Sequence, residues 1–135
     1  MDGCRDAMRD ATVDFMQVPL TAAQRRDFYH MSLAAIRQYS AVFAVSDTYA
    51  IGRMHFLQEQ GMKISKEISI VGFDNMGLCE RAYPCLTTVG QDAYERAKAA
   101  VAALQKLKAG EITEAVQKIH VYLVERESVG EYDAT

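Results

Sequence analysis

The chain has 135 residues, about half of them apolar, and a formal charge of −3, which allows one domain with a sizeable core but gives none of the clustered basic excess of a nucleic-acid or acidic-membrane binder. Its three cysteines, Cys4, Cys79 and Cys85, are odd in number and lack Cys-x-x-Cys spacing, which argues against a disulfide framework or a structural zinc site and fits a reducing, cytoplasmic setting. The polar start MDGCRDAMRDATVD is no signal peptide, and no apolar run approaches the ~20 residues that span a bilayer, so a soluble protein is expected.

VDFMQVPL, Val13 to Leu20, alternates in part and reads as a strand closed by Pro19. Thr21 and Gln24 have capping-box spacing, which starts a helix running from Ala22 to about Gln38. Within it Phe28, Met31, Ala35 and Tyr39, widened by Leu33 and Ile36, form one apolar stripe whose role is packing. AVFAV, Ala41 to Val45, is apolar on both faces, as in a parallel strand covered on both sides. Asp47 then sits where an N-cap is needed, and the helix from Thr48 to Gln60 stops at Gly61. ISIVG is a second buried strand, so Ala41 to Gly72 forms one βαβ unit with a right-handed crossover expected.

Tyr83 to Val89, with Pro84 restricting its neighbour, is a rigid segment leading into another strand. Ala97, Ala100, Val101, Leu104 and Leu107 mark an amphipathic helix from Asp92 to about Lys108, ended by Gly110. In KIHVYLVERES, Ile119, Val121 and Leu123 alternate with His120 and Tyr122, the pattern of a less buried strand at an edge. With a loose tail from Gly130 and no internal repeat or linker, the fold class is α/β, an open and mostly parallel sheet flanked by helices.

Ligands of open parallel sheets bind beyond the carboxyl ends of the strands, where helix N-termini also converge. Two strands end there on polar residues, Ser46 and Asp47 after the first, Asp74 and Asn75 after the second, and these four are the site candidates. N-capping accounts for Asp47 without a ligand. Asp-Asn near a glycine is also ordinary turn chemistry, yet a carboxylate at a strand mouth can accept two hydrogen bonds from vicinal hydroxyls, the grip suited to a sugar. His30, His55 and His120 fall on separate elements, and there is no nucleophile elbow or phosphate-binding Gly-rich loop, so an enzyme is not expected. A phosphate-accepting receiver domain would need an acidic pair after its first strand and a lysine after its last, and both are missing.

The order of motifs from Ala41 to Val129, a Ser-Asp, a Val-Gly-Phe-Asp, a Pro-x-Leu-Thr-Thr-Val and an Arg-Glu-Ser, strongly resembles the C-terminal part of lactose-repressor/galactose-repressor family transcription regulators. Fainter similarity reaches back through Leu20. The resemblance implies a type I periplasmic-binding-protein-like domain, two α/β lobes closing on a small effector, often a sugar or nucleobase, with operator DNA read by a separate headpiece. Residues 1–129 would then be a partial effector-binding and dimerisation domain, lacking the headpiece and most of the first lobe, followed by the 130–135 tail.

By the same resemblance, Asp74 matches an effector-binding aspartate and Ser46 a polar position facing the effector, with Asp47 beside it. Gln91 matches a ligand-contacting position where the chain crosses between lobes, and Leu20 falls near a position often held by a stacking aromatic. Cys85 stands for the second proline of the usual Pro-Pro-Leu-Thr, which should loosen that segment. A homodimer is implied through the Thr48–Gln60 helix, with Ile51, Met54 and Leu78 as the patch. No cofactor, metal or membrane partner is implied. The other readings are a sugar-uptake binding protein of the same fold and a dimerisation piece that binds no ligand.

Overall fold

The computed structural model describes residues 6–8, 11–111 and 116–131. Chain contacts separate two compact units, Met1–Ile36 and Arg37–Thr135.

In the first unit Thr21 caps helix α1, Ala22–Met31. The expected capping box is half formed. Thr21 Oγ1 accepts from the Gln24 amide at 3.4 Å, but its own proton goes to Gln24 Oε1 at 2.8 Å, so that side chain does not reach back to the Thr21 backbone. The helix expected to reach Gln38 is interrupted at Ser32, whose hydroxyl donates to the Phe28 carbonyl at 2.7 Å. Such back-bonding competes with the helical ladder, and only a short α2, Leu33–Ile36, follows. The strand expected over Val13 to Leu20 does not form: residues 12–19 have no regular structure, and Phe15 and Met16 are exposed. Among the described residues no strand pairs with this segment, and partial alternation alone does not make a sheet.

The second unit is built on a four-stranded sheet in the order β1 (Ala41–Phe43), β2 (Ser69–Phe73), β3 (Thr87–Gln91), β4 (Val121–Val124). The first three are parallel and β4 is antiparallel to β3, at the edge where its alternation placed it. Helix α3, Asp47–Glu59, connects β1 to β2. Its Ala50, Met54 and Leu57, at steps of four and three, are fully buried against the sheet side bearing Ile70. After Gln60 the Gly61 N–H donates to the Gln58 carbonyl (2.9 Å) and the Met62 N–H to the Leu57 carbonyl (3.0 Å), with Gly61 at φ +80°. This double bond pattern closes the helix and needs a left-handed residue at that point.

Strand β1 differs from expectation. It occupies the other edge, and Phe43 and Val45 are 53% and 75% exposed, so it is not covered on both sides among the described residues. Helix α4, Ala93–Lys108, starts at Asp92, whose carboxylate accepts the Tyr94 and Glu95 amides at 2.9 and 3.0 Å, and is followed by Gly110 at φ +74°. None of its residues is buried; its apolar stripe of Val101, Leu104 and Leu107 is exposed.

Beyond β4 the chain remains tied to the sheet. Buried Ser128 accepts from the Thr87 amide at 2.8 Å and donates to the Ile70 carbonyl at 2.5 Å, while its own carbonyl takes the Ile70 N–H. Gly130, where a loose tail was expected to begin, donates to Ser69 Oγ at 3.1 Å, and a Cβ there would overlap the Ser65 carbonyl. Residues 132–135 of that tail lie outside the described residues.

Candidate functional site

The parallel strands β1, β2 and β3 all end at one edge of the sheet, and Ser46, Asp74 and Gln91 stand at those three ends. Ser46 is the half-buried N-cap residue of α3. Its backbone is extended (φ −155°) and its side chain makes no cap hydrogen bond, so the cap does not consume the hydroxyl. The structure brings Asp74 and Gln91 together, with Gln91 Nε2 donating to Asp74 Oδ1 at 2.7 Å.

Asp74 has φ +110° and Asn75 φ +52°. The second value is one that asparagine tolerates; the first lies outside the basins open to a residue with a Cβ and carries strain. Continued alternation of β2 would place residue 74 on the same face as Gly72. Its carboxylate instead meets Gln91, which alternates with Val89 on the other face.

Three consecutive amides hold this turn. Asp74 N–H donates to the Val89 carbonyl at 2.9 Å, Asn75 N–H to Thr88 Oγ1 at 3.4 Å, and Met76 N–H to Asp47 Oδ2 at 2.7 Å. Asn75 Oδ1 accepts from Arg126 Nη2 at 2.9 Å, while Arg126 Nη1 donates to the Leu86 carbonyl at 2.9 Å. Asn75 is therefore both the turn residue read from the sequence and an anchor for the chain leaving β4.

Asp47 behaves differently from the N-cap read in the sequence. Ser46 takes the cap position, and Asp47, the first residue of α3, is fully buried. Its Oδ1 accepts from Thr88 Oγ1 at 2.5 Å and its Oδ2 from the Met76 amide. The register pairs Gly72 with Thr88, so both face α3, and a Cβ on Gly72 would overlap Asp47 Oδ1. A buried carboxylate needs such donors, and the positive end of α3 adds to them. Burial first, then the Asp47 carboxylate, push the pKa of the buried Cys79 thiol from 9.0 up to about 12. With both oxygens engaged inside, Asp47 presents no free acceptor at the sheet edge.

Of the remaining expected residues, Leu20 lies in the first unit and is 85% exposed. Met54 is a correction: it is wholly buried beneath α3, because its spacing from Ala50 and Leu57 puts it on the inner face, so it is not available to an interface. Ile51 and Leu78 are half-buried. Cys85 supplies the N–H that a proline would lack, and that N–H donates to Glu127 Oε2 at 3.0 Å; the Cys85 carbonyl accepts the amides of Glu127 and Ser128. Thr88, Arg126 and Ser128 escaped the sequence reading as individual residues, though they fall inside the Leu-Thr-Thr-Val and Arg-Glu-Ser motifs that carried the resemblance.

Residues 1–129 match the periplasmic binding protein-like domain family. Among curated proteins, the HTH-type transcriptional repressor PurR of Vibrio atlanticus is 40% identical over 91 residues, 67% of this chain and 27% of that protein. The chain thus spans little more than a quarter of that relative's length. A periplasmic binding protein/LacI transcriptional regulator from Alkaliphilus metalliredigens, complexed with D-xylulofuranose, superposes with a TM-score of 0.72 at 29% identity, covering 95% of this chain and 48% of the other. The lac repressor dimer bound to operator and the anti-inducer ONPF gives a TM-score of 0.79 at 22% identity, covering 96% and 46%, a likeness of fold.

Proposed function

The chain belongs to the periplasmic binding protein-like domain family, within the lactose-repressor/galactose-repressor group, and from that premise we propose that it is the ligand-sensing part of a bacterial transcription regulator, binding a sugar-like effector at the strand ends that carry Ser46, Asp74 and Gln91. The observation that carries this reading is Asp74: a strained carboxylate held at the mouth of the central strand, with one oxygen bonded to Gln91 and the other not bonded to it. Strain of this kind persists where a side chain must be aimed. A carboxylate and an amide side by side, with a hydroxyl at the next strand end, suit vicinal hydroxyls, which both donate and accept. The sugar in the Alkaliphilus relative supports the ligand class.

The effector acts by population shift, binding one lobe arrangement more tightly than another and passing that difference to paired headpieces on operator DNA. The protein works in the cytoplasm as a homodimer, with Ile51 on α3 and Leu78 on the interface. It catalyses no reaction and uses no cofactor. Asp47 serves the site through the backbone that it holds.

Calorimetric titration with pentoses, hexoses and nucleosides tests this reading. Saturable binding of one member, lost in Asp74→Ala, is expected; binding that survives Asp74→Ala removes Asp74 from the site. The absence of binding by any panel member, alongside an intact dimer, favours a dimerisation piece instead.

A further inference from the structure

We infer that Thr88 and Asp47 form a buried positioning relay that fixes the strained Asp74–Asn75 backbone and so sets effector affinity, although neither side chain reaches the effector. The inference rests on the effector reading of Asp74.

The relay is a set of hydrogen bonds that converge on the Asp47 carboxylate from both sides. Asn75 N–H donates to Thr88 Oγ1 (3.4 Å), the Thr88 hydroxyl donates to Asp47 Oδ1 (2.5 Å), and Asp47 Oδ2 accepts the Met76 N–H (2.7 Å). The loop bearing Asp74 is thus gripped at the two residues that follow it, by one strand and one helix of the same packed unit. Thr88 and Asp47 are fully buried, and Gly72 leaves the space in which Asp47 sits. A hydroxyl donates and accepts through a single oxygen, as the middle of the relay requires. A backbone at φ +110° relaxes unless its surroundings over-determine it; these two bonds and the Val89 carbonyl on the Asp74 amide hold the backbone, beside the side-chain bonds to Gln91 and Arg126. Pre-set geometry lowers the ordering cost of binding, so loss of the relay weakens affinity without removing a ligand contact.

Thr88→Val and Thr88→Ser separate this role from ordinary packing. Valine keeps the volume and breaks the relay; serine keeps the hydroxyl. Two quantities are read on the 135-residue chain: amide hydrogen exchange at residues 74–76 compared with the amides of β2 and β3, and affinity for D-xylulose and D-ribose. In Thr88→Val, exchange at Asn75 and Met76 accelerates about tenfold or more while the strand amides hold, and affinity drops by about tenfold, the order expected for one buried hydrogen bond. Thr88→Ser restores both to within about twofold of the parent. Faster exchange across all strand amides alike, or unchanged affinity once Asn75 exchange has risen, overturns the relay. If the parent protein binds neither sugar, the effector reading for these probes fails on its own, and the exchange pattern alone decides whether Thr88 and Asp47 fix the turn.

Discussion

Asp74 occupies a conformation that glycine adopts freely and other residues resist. Replacing it reverses a familiar order. Asp74→Gly should be more stable than Asp74→Ala by ~1 kcal/mol or more, because alanine keeps a strain of that size and glycine relieves it; both variants lose effector binding. Equal stability in urea unfolding would mean that the turn is not strained. A second expectation concerns Cys79, whose folded pKa is raised from 9.0 to about 12 by burial and then by Asp47. Below pH 9 the thiol is protonated in both folded and unfolded chains, so its contribution is fully present. Between pH 9 and 12 the unfolded thiol ionises first, and stability falls as pH rises. Cys79→Ala should show a shallower fall over that window in denaturant titrations at stepped pH, and an identical slope contradicts the burial of the thiol beside Asp47. Both residues show where sequence reading stops. The Asp74 position could be read from its strand mouth, whereas the role of Asp47 depends on partners 29 and 41 residues away, Met76 and Thr88, which no local pattern announces.

Among the elements, helix α3 and strands β2 and β3 follow from periodicity and punctuation. Gly61 provides the left-handed stop, and Ala50, Met54 and Leu57 provide the inner face. The helix from Ala22 fails to reach Gln38 because the Ser32 hydroxyl turns back on Phe28, a choice that an apolar stripe does not reveal. The chain after β4 also exceeds what its sequence suggests. Ser128 joins β2 and β3 through its hydroxyl, leaving the Thr87 amide without a partner if that hydroxyl is removed. Ser128→Ala should therefore cost ~1–3 kcal/mol in equilibrium unfolding, the penalty for a buried unsatisfied donor, and a cost near zero contradicts the lock. Gly72→Ala tests the seat of Asp47 at the same scale. Its Cβ meets Asp47 Oδ1 and approaches Leu86 Cδ2 to 3.0 Å, so a loss of ~1–3 kcal/mol from overpacking is expected, with weaker effector binding as Asp47 shifts.

For the whole molecule, the sheet edge with Ser46, Asp74 and Gln91 supplies one wall of hydrogen-bonding groups, and a buried network behind it keeps that wall in shape. The α/β class and the convergence of polar strand ends at one sheet edge were legible because parallel strands end together by topology alone. Exposure of the α4 stripe and of β1 was not legible, since apolar patterning states that a face packs but not what packs on it. The measurement that bears most directly on the effector reading is a titration of the protein and of Asp74→Ala with D-xylulose, D-ribose, hexoses and nucleosides. Amide shifts are followed at Ser46, Asp74 and Gln91. The reading predicts saturable shifts at those three residues with one sugar and none in Asp74→Ala; saturation centred elsewhere, or equal in the variant, contradicts it.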